Sequence, residues 1–158
     1  MTDHGEHDHG DHGGHDHDHD HDHDHDGHDH GEAEREAALH EILRRFAAAW
    51  GAGDLQAVLD AYHTPCAIYK DGVQTAIADE DAKRRHFGDL LDRFRAGGVI
   101  GPEIAGFDLL DLGRNSALVT VRWTSRRADG SVAADYLDSY HFGRVGEAWK
   151  ILDDTVHD

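Results

Sequence analysis

The segment YLDSYHF, residues 136–142, places Asp138 on one side of an extended chain together with Tyr136, Tyr140 and Phe142, because alternate side chains of a strand point the same way. If that side faces inward, a carboxylate sits among aromatic rings. Loss of water then raises its pKa toward the range of a working acid or base. The plainer reading is a structural carboxylate held by Lys70 or by a tyrosine hydroxyl. The segment ILDDTVHD sets Asp153 and Asp154 on opposite faces, so only one of them can look inward. Asp154, beside Leu152 and Val156, is that candidate. Its alternative is a strand-end carboxylate in solvent, since Asp is seldom buried unpaired. Asp138, Lys70, Tyr140 and Asp154 are therefore the candidate catalytic residues.

The histidines form two populations. Twelve of the seventeen lie in residues 1–30, half of them in the alternating repeat HDHDHDHDHDHD. In an extended chain that repeat presents imidazoles on one side and carboxylates on the other. Neutral imidazole suits zinc, nickel, cobalt and copper, and carboxylates add oxygen donors and negative potential. His15, His17, His19, His21, His23 and His25, with His28 and His30 just beyond, are the candidate metal ligands. Zinc or nickel would be held several ions at a time with little selectivity, as in a buffer, because no geometry is preformed. The same histidines make the segment a charge switch, moving from −11 to about +1 as they protonate. An affinity handle and an inert appendage are the plain alternatives, although the ragged flanks DHGEHDHGDHGGH and GHDHG resemble natural repeat expansion. Among the other histidines, His86 borders an apolar helical stripe, and its alternatives are a base at a pocket mouth and a half-exposed surface residue. His63 and Cys66 supply only two of the three or four protein ligands zinc usually takes. His141 alternates with Tyr140 and Phe142 and should point away from any pocket.

These groups need a scaffold. At 158 residues the chain holds one domain. Of its net charge of −18, −11 falls in residues 1–31, which have ten Asp, one Glu and no Lys or Arg, leaving −7 for residues 32–158. That sign repels nucleic acid and anionic membrane alike, while leaving room for a locally basic pocket. A single cysteine excludes an intrachain disulfide. No apolar run spans a membrane or serves as a secretory signal, so a cytoplasmic location is expected. Residues 1–31 have too little apolar surface to offset ordering entropy and should be disordered.

From residue 32 the pattern changes. Leu39, Ile42, Leu43, Phe46 and Trp50 fall on one helical face, ended by GAG at 51–53. Asp54 caps a second helix bearing Leu55, Val58, Leu59 and Tyr62, and Pro65 prevents its continuation. AIYKDGVQTAI is a hairpin turning at Asp71-Gly72. A third helix over Asp79–Arg95 closes at Gly97-Gly98. Four segments of period two follow, EIAGFDLLDL, SALVTVRWTSRR, AADYLDSYHF and AWKILDDTVH, joined by tight turns. The fold class is α+β, with three helices packed on one face of a curved antiparallel sheet. Arg122, Arg126 and Arg127 alternate with Val121, Trp123 and Ser125, either as a solvated convex face or as part of a subunit interface.

That order of elements, with FAAAWGAGDLQAVLDAYHTPCAIYKDG leading and DSYHFGRVGEAWKILDD closing, resembles the nuclear transport factor 2-like superfamily, including its SnoaL-like and ketosteroid isomerase-like members. The resemblance covers about residues 36–157. It implies a cone in which a bent sheet wraps the helices around an apolar pocket for a small hydrophobic molecule. It also implies a homodimer paired through the convex sheet. Set against the ketosteroid isomerase-like site, the oxyanion tyrosine position is Phe46 and the base position is Lys70, with Tyr69 one residue off. The protonated aspartic acid position is Asp138. Only the last role survives, so steroid isomerisation is disfavoured. The leading expectation is a small-molecule-binding domain carrying a metal-binding tail. The alternatives are a lyase or isomerase acting through Asp138, and a metal buffer for which the domain is a dimeric carrier.

Overall fold

The computed structural model describes residues 26–157. Helix α1 spans Asp26–Ala52, starting inside the segment expected to be disordered. Once a helix has nucleated, each added residue gains a hydrogen bond at little cost, which lets it run past a composition boundary. The helix thus begins at the last residue of the repeat. His28 and His30 belong to the helix, and His15 through His25 lie outside the described residues.

Leu39 and Leu43 of α1 are fully buried and Phe46 nearly so, as the helical spacing predicts. An Arg35–Asp111 ion pair ties α1 to strand β3 (Val99–Asp111). Gly53, at φ +71°, turns the chain out of α1. The Asp54 carboxylate then caps α2 (Leu55–Ala61) by accepting from the Ala57 amide at 3.1 Å.

One expectation fails at this point. Tyr62 is not on the apolar face of α2; it opens strand β1 (Tyr62–Lys70) and pairs with Ile151. Thr64 precedes Pro65, and residues before proline are driven toward extended conformations. Lys83 Nζ donates to the Tyr62 carbonyl at 3.2 Å and secures that start. Asp71 and Gly72, both at positive φ, turn β1 into β2 (Val73–Ile77). Asp79 caps α3 (Glu80–Ala96) through the Ala82 amide at 2.7 Å.

The meander follows as expected, with β3, β4 (Ser116–Arg127), β5 (Val132–Val145) and β6 (Ala148–Val156). Hairpin and meander join in one six-stranded sheet of order β2-β1-β6-β5-β4-β3. Every pair is antiparallel except β1–β6, which runs parallel. The helices cover one face of this sheet, where Val119, Val121, Trp123, Phe142 and Ile151 are buried. No described helix is long and apolar enough to cross a membrane.

Candidate active site

Between the helices and the sheet lies a cavity of about 620 Å³, within the range of pockets that enclose a small organic molecule. Eight aromatic residues line it, Phe46, Tyr62 and Trp123 among them. Into this apolar lining the sheet brings two carboxylates. Asp138 and Tyr140 share the inner face of β5, and Asp154 on β6 stands opposite Tyr140 in the register, with Ile68 of β1 on its other side.

Each carboxylate is held in the same way. Tyr140 donates to Asp138 Oδ2 at 2.9 Å, and the indole N–H of Trp123 donates to the Tyr140 hydroxyl at 3.1 Å. Tyr62 donates to Asp154 Oδ2 at 2.5 Å. The other oxygen, Oδ1 of both residues, is buried without a partner among the described residues. Phe46 packs edge-on against both phenols, with ring centroids 5.9 Å from Tyr62 and 6.2 Å from Tyr140. An aromatic spacer thus fixes the two donors that fix the two acids.

Burial sets the protonation states. Desolvation pushes Asp138 up to about 6, resisted by the Tyr140 hydrogen bond and by the charges of His157 and Lys70. Desolvation likewise lifts Asp154 to about 7, opposed by the Tyr62 hydrogen bond and reinforced by the charges of Asp138 and Asp153. Both phenols are driven well above their ordinary value, by burial first and then by the neighbouring carboxylates. They remain protonated, and each donates its hydroxyl hydrogen to a carboxylate, while the Tyr140 oxygen also accepts from Trp123. Near neutral pH the pair therefore offers both a protonated and an ionised carboxyl, which is what acid and base roles require.

Asp138, Tyr140, Asp154 and Lys70 all line this one cavity. Lys70 is at its exposed mouth, while Tyr69 is 46% exposed and does not line it. Asp154 is not a solvent-facing strand end, because it is only 6% exposed. Asp153 takes the outer face, where its Oδ2 lies 3.2 Å from His141 Nδ1. His141 also meets Ser116 Oγ at 2.9 Å, turned away from the cavity as expected.

Of the two alternatives for His86, the structure has the half-exposed residue: it does not line the cavity, and its ring is half-buried edge-on against Phe87, where desolvation lowers its pKa. Cys66 is a buried thiol raised to about 11 by burial, and His63 Nδ1 lies 3.1 Å from the Pro65 carbonyl. Among the described residues no cluster of three or more His, Cys, Asp or Glu is arranged to hold a metal. Arg127 does not share the face of Arg122 and Arg126. It follows Trp123 and Ser125 to the cavity side, where Arg93 of α3 also stands.

Tyr62 is the functional residue that sequence reasoning placed wrongly, and Trp123 and Arg93 were not singled out as site residues. The available signal near Tyr62 was Pro65, which disfavours helical backbone at Thr64 and so ends the helix close by. Arg127 was accessible from strict alternation with Trp123.

A cone of helices wrapped by a bent sheet, with a deep aromatic pocket between them, defines an NTF2-like domain. Residues 33–158 match the family model described as NTF2-like protein (DUF6841), and the chain belongs to that family. A search of curated proteins finds no match. Among solved structures the chain is similar to an NTF2-like protein of unknown function from Pseudomonas putida, with 15% identity, a TM-score of 0.66, and 78% of this chain and 86% of that chain covered. It is also similar to a protein of unknown function from Mycobacterium tuberculosis, with 11% identity, a TM-score of 0.67, and 83% and 75% covered. A candidate ketosteroid isomerase from Shewanella frigidimarina shares 13% identity at a TM-score of 0.59, with 74% and 92% covered. At such identities the likeness is one of fold alone.

Proposed function

We propose that the cone binds a small hydrophobic molecule and moves a proton on it, as a lyase or isomerase does, with Asp138 and Asp154 as the acid–base pair. One observation carries this reading: two carboxylates, each anchored through one oxygen by a buried phenol, meet at one apolar cavity. An inert binding pocket has no use for two carboxyls whose burial costs stability, whereas proton transfer needs them near neutral pKa. Tyr62 and Tyr140 are positioning residues that hold the carboxyls through Oδ2. The similar Shewanella frigidimarina protein is described as a candidate ketosteroid isomerase, an activity of the class proposed. Phe46 and Lys70 still differ from the isomerase pattern, so a steroid is not the substrate assigned.

The test uses 2-tetralone, an apolar ketone with acidic α-hydrogens, in D₂O followed by proton NMR. The full chain should accelerate α-deuteration over buffer, and the Asp138→Asn/Asp154→Asn double variant should return it to the buffer rate. Exchange no faster than buffer, or undiminished in a folded double variant, overturns the assignment.

The N-terminal repeat is a separate proposal resting on composition. Its alternating imidazoles and carboxylates would take up zinc or nickel ions, independently of the cone.

A further inference from the structure

The mouth of the cavity has the opposite electrostatic character to the rest of the protein. Lys70 from β1, Arg93 from α3 and Arg127 from β4 converge on it from three separate elements. All three are exposed, and none has an acidic partner within ion-pair distance among the described residues. Among the described residues the only acidic ones in the lining are Asp138 and Asp154, which are buried. The mouth thus gathers three unpaired cations in a chain of net charge −18. A general surface of this composition would place carboxylates among them.

We infer that the ligand of this cavity is an apolar monoanion, its hydrophobic body among the aromatic rings and its anionic group at the mouth between Lys70, Arg93 and Arg127. The inference rests on the cavity being a ligand site and narrows the class of molecule that enters it. Basic groups at a low-dielectric entrance focus the field and raise the local concentration of an anion that the protein as a whole repels. Arg supplies two parallel donors that match a carboxylate or phosphate. The rings beneath require an apolar remainder. A neutral molecule of the same shape gains nothing from the mouth, and a cation is opposed by it.

The experiment compares 2-naphthoate with 2-naphthamide, which differ in charge and hardly in shape, by titration calorimetry of the full chain at neutral pH. At low salt naphthoate should bind about tenfold more tightly, the cumulative effect of exposed ion pairs. The ratio should shrink as salt is added. In Arg93→Gln/Arg127→Gln it should fall toward one. In Arg122→Gln/Arg126→Gln, which removes equal charge from the outer face of the same sheet, it should persist. Equal affinities in the wild type, or a ratio that survives Arg93→Gln/Arg127→Gln, overturns the inference while leaving the cavity a ligand site. Binding of neither compound removes both readings together.

Discussion

Replacing Asp154 by Asn should make the protein more stable at alkaline pH, although it removes a buried hydrogen-bonded residue. Burial lifts the Asp154 carboxyl from 3.8 to about 7, so ionising it costs the native state about 4 kcal/mol relative to the unfolded chain. Because the folded pKa lies above the unfolded one, the native state binds more protons through this interval. The associated stability is fully present below pH 3.8 and is lost as pH rises toward about 7. Asn carries the neutral geometry at every pH, and its amide oxygen can still accept from Tyr62. Between pH 5 and pH 8 the stability difference should therefore move by about 3 kcal/mol in favour of Asp154→Asn. Urea unfolding followed by circular dichroism at each pH measures this as a relative midpoint shift of about 1–2 M. The histidines of the N-terminal repeat titrate in the same window, but they are common to both proteins and cancel in the difference. A difference that stays flat from pH 5 to pH 8, or that turns against the variant at pH 8, would refute the burial argument.

Gly143→Ala tests the support of the same carboxyl. A Cβ there would stand 2.6 Å from Leu152 Cδ1 and 3.0 Å from its Cγ, and such overpacking costs about 1–3 kcal/mol, measurable by the same unfolding assay; no loss would mean that Leu152 moves freely. Deleting residues 1–25 should abolish nearly all nickel uptake measured calorimetrically while the thermal transition persists, since among residues of described burial the first buried one in α1 is Leu39. Retained stoichiometric uptake would place a metal site in the folded domain instead.

Period and turn chemistry made most of the fold legible. Strand β4 runs over Ser116–Arg127, the span its alternation indicates, and the Asp71-Gly72 turn and the Asp54 and Asp79 caps fall where their residue types require. Asp138 and Tyr140 were legible for the same reason, because an unbroken strand preserves the period of two between them. Joining the hairpin to the meander through the parallel β1–β6 pair was not, because nothing local encodes a partner more than eighty residues away.

Asp154 shows where the period itself breaks. The pairing of β5 with β6 steps from His141–Asp153 to Phe142–Ile151, leaving Leu152 as an extra residue. This bulge puts Ile151 and Asp154, three residues apart, on the same buried side, which simple alternation forbids. Gly143 makes room for Leu152 at this step. A bulge re-aims the side chains that follow it, and here it turns a carboxyl toward Tyr62, which opens the neighbouring strand β1. The second acid of the pair thus depends on a defect in the strand and a phenol distant in sequence. Neither leaves a mark in hydrophobic periodicity, because each exists only once β1 and β6 lie side by side.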